Sequence, residues 1–188
     1  MSLTDVDWTL IPAPADDGKA SHLEGMTLPQ IDLPSTDGGQ VNLAAQGGTT
    51  VVYVYPMTGR PDRDLPDGWD DIPGARGCTP QSCAFRDHYA ELQGYGVDHL
   101  FGLSTQDSTY QAEAAERLHL PFALLSDAGL TFGKALDLPG MQVDGKHLHK
   151  RLTMIIRDGV IAKVFYPVFP PDQDAANVID WLRDNSAG

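Results

Sequence analysis

Two cysteines, Cys78 and Cys83, are the residues of this sequence best suited to chemistry. A single pair in 188 residues is too few to staple a disulfide scaffold, and in a reducing compartment such a pair serves catalysis or redox sensing. Thr79 is a candidate N-cap, and Pro80 suits the first helical position, where its missing N–H costs nothing. Cys78 therefore stands just before a helix N-terminus, where unpaired N–H groups and the helix dipole favour a negatively charged sulfur; Arg76 lies two residues upstream. The opposing reading is that a free cysteine is often a small buried apolar side chain. The turn chemistry of Gly77, Thr79 and Pro80 argues against that for Cys78, whereas Cys83, beside Ala84 and Phe85, keeps it open. Five positions apart on a continuous helix, two Cα atoms are about 7.5 to 9 Å apart, beyond the reach of a disulfide. A bond between these cysteines thus requires the first turn to unwind, which would make the helix a redox-switched element.

The elements that must hold this pair follow from periodicity. Residues 50–55 are almost all β-branched or aromatic, as in a strand buried on both faces. Before it, Ile31, Leu33, Val41 and Leu43 alternate with polar residues around Thr36-Asp37-Gly38-Gly39, which predicts a hairpin. After it, residues 56–77 have no period, and so long a loop in a compact domain is usually functional. A helix is expected over about 80–93, with Phe85, Tyr89 and Leu92 on one face, then a strand over 99–104. Ser108 with Gln111 resembles a capping box opening a helix to about 119. A short strand over 122–125, a short helix over 128–136 and a hairpin of 151–156 with 160–166 across Asp158-Gly159 follow. Asp172 is expected to cap a last helix through Trp181. This order predicts an α/β architecture with a thioredoxin-like fold: a central mixed β-sheet flanked by helices on both faces.

Residues 1–25 mix Pro, Gly and Asp without a period and are expected to form an extension on the surface or partly disordered; the domain is expected over 26–186. A hydrophobic fraction of 41% with 21% charged residues is that of a soluble globular chain, and no run approaches the roughly 20 apolar residues of a membrane helix. The acidic N-terminus does not resemble a secretory signal, so a cytoplasmic location is expected. A net charge of -13 repels phosphate backbones and anionic lipid, so neither nucleic acid nor membrane is expected as a partner. His147 and His149 alternate before residue 151, but two ligands fall short of a metal site and exposed strand-edge histidines are expected.

The segment Gly77-Cys78-Thr79-Pro80-Gln81-Ser82-Cys83-Ala84-Phe85-Arg86-Asp87 resembles the active-site segment of Q-type peroxiredoxins, also called bacterioferritin comigratory proteins. The resemblance extends over roughly residues 28–184. It implies that Cys78 is the peroxidatic and Cys83 the resolving cysteine. Gln81 matches the Glu or Gln found three residues after the first thiol, and Tyr55-Pro56 matches the end of the family's core strand. Arg151 looks like the family's arginine on a later strand. One departure stands out: the family writes Pro-x-x-x-Thr-x-x-Cys, whereas Ala75 is three before Cys78 and about fifteen extra residues follow Pro56. Thr58 is the candidate for the displaced threonine if loop 59–74 bulges out as an insertion; that loop, with Trp69 and several aspartates, could also serve as a lid or partner contact.

What the resemblance implies is a thiol peroxidase that forms a Cys78 sulfenic acid and then a Cys78–Cys83 disulfide, recycled by a thioredoxin-like reductant, without metal or organic cofactor, as monomer or homodimer. Arg151, the Thr58 hydroxyl and the N–H groups of the helix start would supply donors to the peroxide oxygens. Two alternatives are a thiol–disulfide exchanger, which would want Cys-x-x-Cys, and a non-catalytic redox-sensing or metal-carrying module.

Overall fold

The computed structural model describes residues 5–186. Its centre is a five-stranded mixed sheet in the order β5-β4-β3-β8-β9, built from β3 (Thr49–Val54), β4 (Val97–Ser104), β5 (Leu124–Ser126), β8 (Leu152–Arg157) and β9 (Val160–Phe165). β4 runs parallel to β3 and to β5, while β8 is antiparallel to β3 and to β9. Alternate side chains of β3 go to opposite sides, as the pleat requires. Val52 and Val54 join Leu103, Leu125, Met154 and Ile156 in one core. Val51, Tyr53 and Tyr55 join Phe85, Leu124, Ile155, Val178 and Leu182 in the other. Burying each of these side chains is worth about 1.5 to 3 kcal/mol, which is why an uninterrupted apolar run can only be the central strand.

Helices α1 (Cys78–Asp87), α2 (Tyr89–Gly94) and α5 (Asp174–Asp184) pack on the second face. The hairpin of β1 (Asp32–Pro34) and β2 (Gln40–Asn42) lies on the first face with α4 (Thr131–Leu136). The helix α3 (Ser108–Arg117) follows β4. The expected hairpins are present, and the second turns through Asp158 and Gly159, both at positive φ. No described helix is long and apolar enough to cross a membrane.

Several expectations are corrected. The helix carrying the thiols begins at Cys78 behind Gly77, which sits at φ 115, so Thr79 lies inside the helix and does not cap it. A Cβ at Gly77 would come 2.6 Å from Pro171 Cγ and 2.8 Å from the Trp8 ring, so backbone conformation and crowding both demand glycine there. The same helix breaks at His88, whose Nδ1 lies 2.8 Å from the Ala84 carbonyl oxygen, a side chain competing for a helix acceptor. Asp107, not Ser108, caps α3 by accepting from the Tyr110 N–H, while Gln111 is buried and donates to Ser104 Oγ and the Leu125 carbonyl. The helix expected from 128 starts at Thr131, and Asp127 accepts from the N–H groups of Phe132 and Gly133. Asp172 belongs to a 3-10 turn, and α5 starts at Asp174.

A hairpin of β6 (Gly140–Val143) and β7 (Lys146–His149) was not foreseen. It gives loop 59–74 something to pack on: Trp69 and Ala75 form a third apolar cluster with Val143 and Leu148. His149 is not at an exposed edge; it is buried, with Nε2 2.8 Å from Asp127 Oδ2. The segment expected on the surface before residue 26 buries Ala20 and Leu23 in the first core. Further upstream, Trp8 donates through Nε1 to Asp172 and meets the ring of Phe169 edge-on.

Candidate active site

Cys78 is the first residue of α1 and is only 3% exposed. Two anchors hold that first turn. Tyr53 of β3 donates its hydroxyl to Ser82 Oγ at 3.0 Å and stacks on Phe85 with ring centroids 4.5 Å apart. On the other side, Arg151, just before β8, donates through Nη2 to Cys78 Sγ at 3.4 Å. The same nitrogen lies within 3.3 Å of the Gly74 carbonyl and 3.1 Å of those of Ala75 and Arg76. One guanidinium therefore binds the end of the inserted loop and the sulfur together, with charge-assisted hydrogen bonds in a dry site.

Arg151 is itself oriented. Its Nη1 donates to Gln81 Oε1, Gln81 Nε2 donates to Asp174 Oδ2 at 2.7 Å, and Thr153 donates to the same oxygen at 2.6 Å. The Gln81 amide is thereby fixed: with Asp174 taking its N–H, its oxygen must face the guanidinium. Burial pushes the Asp174 carboxyl up to about 6, opposed by the bonds from Thr153 and Gln81 and by the charge of Arg151. The folded protein binds that proton more tightly than the unfolded chain, so this group's contribution to stability is fully present below the ordinary carboxyl range and lost as pH rises through about 6. Asp174→Asn keeps an oxygen acceptor for both donors and cannot ionise. It is expected to gain on wild type by about 2 to 3 kcal/mol between pH 4 and pH 7, read from parallel denaturant titrations; a difference independent of pH would refute the assignment.

Cys83 lies on the same helix and is partly exposed, and both thiols are free. Burial pushes the Cys83 thiol up, with the nearby charge of Arg86 opposing. Arg76 pairs with Asp70 of the inserted loop at 3.0 Å; the guanidinium on the sulfur is that of Arg151. Thr58 bonds to Gln106 and Tyr110. Its N–H and hydroxyl both donate to Gln106 Oε1, and its carbonyl accepts from Gln106 Nε2 and the Tyr110 hydroxyl. Its hydroxyl proton is thus committed to Gln106, and the residue pins the loop start to the β4–α3 junction. On the thiol side of the loop stands the Ala75 carbonyl, 3.8 Å from Cys78 Sγ. Cys78, Gln81 and Arg151 are brought together, joined by Asp174 and Thr153, which sequence reasoning missed. The only hint was the acidic start of the last helix; nothing local says that one of its carboxylates is buried.

A model of the Redoxin family matches residues 23–179. Peroxiredoxin Bcp of Escherichia coli (strain K12) is 33% identical over 171 residues, spanning 86% of this chain and 96% of that protein. The chloroplastic peroxiredoxin Q of Suaeda salsa is 30% identical over 161 residues, spanning 85% and 67%. The crystal structure of peroxidoxin BcpB from Mycobacterium tuberculosis superposes with a TM-score of 0.71 at 26% identity, covering 88% of this chain and 100% of that one. A buried thiol held by an arginine on a thioredoxin-like sheet, together with these relatives, leads to one conclusion: the chain belongs to the Q-type peroxiredoxins, oxidoreductases that reduce peroxide through a thiol.

Proposed function

We propose that Cys78 is the peroxidatic and Cys83 the resolving cysteine of a two-step cycle. The Cys78 thiolate attacks one peroxide oxygen, the O–O bond breaks, and water or an alcohol leaves, with Cys78 now a sulfenic acid. The Cys83 thiol then displaces water from it to form the disulfide. The observation that carries this reading is the Arg151 N–H on the Cys78 sulfur. Thiolate formation alone is insufficient: moving a thiol from pKa about 8.5 to about 6 gains only roughly thirty-fold, and nucleophilicity falls along with the pKa. Most of the acceleration must come from donors aimed at the lengthening O–O bond, and Arg151 with the helix-start N–H groups would supply them.

Because α1 is continuous from Cys78 to Asp87, resolution requires its first turn to unwind. A thioredoxin-like protein would reduce the disulfide, in a reducing compartment such as the cytoplasm. The test is rapid mixing of the reduced protein with hydrogen peroxide, with mass spectrometry of the product. The expected result is thiol loss at least about a thousand-fold faster than for free cysteine, giving a species two hydrogens lighter with a 78–83 link. Oxidation at the free-cysteine rate would refute the cycle.

A further inference from the structure

The loop end that leads into Cys78 is overlaid by the N-terminal segment. A Cβ on Gly77 would come 2.8 Å from Trp8 Cη2, and one on Gly74 would come 3.4 Å from Pro14 Cβ. Both glycines have positive φ, 115 and 81, and in each the missing Cβ is what leaves room for the segment to lie so close.

That segment is fastened beyond both ends of the contact. Trp8 donates through Nε1 to Asp172 Oδ2 at 2.9 Å and meets the Phe169 ring edge-on, with centroids 6.0 Å apart. Asp17 accepts from Lys150 Nζ at 2.9 Å and from the Tyr166 hydroxyl at 2.8 Å. None of these four partners lies in the inserted loop or in α1, so the segment is a strap that keeps its seat while the loop end moves. Gly77 carries the first acceptor of the helix, its carbonyl taking the Gln81 N–H at 3.0 Å. Unwinding the first turn breaks that bond and draws Gly77 away from the indole.

Building on the cycle proposed for Cys78 and Cys83, we propose that Trp8 and Asp17 are positioning residues of the resolving step: the strap they pin holds the first turn of α1 wound, and so sets the rate of disulfide formation without setting the rate of peroxide reduction. The Cys78 sulfenic acid has two fates. The Cys83 sulfur attacks it, the S–S bond forms, the S–O bond breaks and water leaves; or the sulfenic sulfur takes an oxygen from a second peroxide, whose O–O bond breaks, giving sulfinic acid and water. A strap that delays the first fate favours the second.

The test mixes reduced full-length protein with rising hydrogen peroxide in the absence of a reductant and weighs the quenched products by mass spectrometry. The peroxide concentration at which half of Cys78 ends as sulfinic acid reads the ratio of the two rates. Trp8→Ala is expected to raise it by about ten-fold, the effect of losing one hydrogen bond and one edge-on ring pair, with the first oxidation within about two-fold of wild type. Trp8→Phe, which keeps a ring but no N–H, and Asp17→Ala, which frees the other end, are each expected to raise it by about three-fold. An unchanged half-sulfinic concentration in Trp8→Ala and Asp17→Ala would overturn the proposal, as would a first oxidation slowed by about ten-fold or more in both, which would make the strap a support of the thiol itself. A wild type that forms no 78–83 link at any peroxide concentration would overturn the cycle on which the proposal rests.

Discussion

Serine in place of Cys78 is expected to remove at least about four orders of magnitude of peroxide reactivity, leaving only the slow oxidation of Cys83. A hydroxyl at that position is a far weaker nucleophile, and Arg151, the donor on the sulfur, has nothing to activate. Cys83 cannot substitute, because burial keeps its thiol protonated above the ordinary range. The complementary variant separates the two steps. In Cys83→Ser the first oxidation is expected within about two-fold of wild type, and the sulfenic acid then persists and advances to sulfinic acid as peroxide is added. Stopped-flow fluorescence with mass spectrometry of quenched samples reads both variants. Equal loss in the two would mean that the thiols act as one unit, and loss in Cys83→Ser alone would reverse their roles.

Arg151→Met is expected to slow peroxide reduction by about a hundred- to a thousand-fold, the cost of removing one oriented donor from developing negative charge. Lysine should restore little, because an ammonium cannot reproduce a planar fork that meets Gln81, three loop carbonyls and the sulfur at once. Losing these bonds also frees the end of the inserted loop, so a fall in activity alone would not distinguish catalysis from folding. The discriminating readout is the rate of Cys78 alkylation by iodoacetamide, which reports access to the sulfur without needing a donor to a peroxide oxygen. In Arg151→Met alkylation should stay within a few-fold of wild type, with an unchanged far-ultraviolet spectrum, while peroxide reduction falls. An alkylation rate that falls as far as the peroxide rate would show that the arginine supports only the loop.

The network behind Arg151 explains why the protein keeps an ionisable group in its interior. Asp174 is buried and held at a cost to stability above about pH 6. Its return is a fixed amide at Gln81 and hence a fixed guanidinium. Sites that place charge before it is needed commonly sacrifice stability in this way.

How much of this was written locally can be judged from particular residues. The apolar run at β3, the alternation of strands with helices and the Asp158-Gly159 turn are short-range signals, governed by periodicity and backbone conformation, and they read correctly from the sequence. Cap assignments failed wherever a competing side chain decided them, as at Asp107 and Gly77, where the choice rests on a neighbour one residue away or on crowding by Trp8 and Pro171. The bonds of Thr58 were not legible locally, because the partner of a hydroxyl depends on which loop packs beside it, and here that is Gln106, 48 positions away. Asp174 and Arg151 reach the thiol helix only across separations of 93 and 70 residues to Gln81. By itself the sequence determined the family motif around the two thiols and most of the elements that surround it. The tertiary structure alone decided which donors meet the sulfur, because burial and long-range hydrogen bonds arise only when the sheet brings distant segments together.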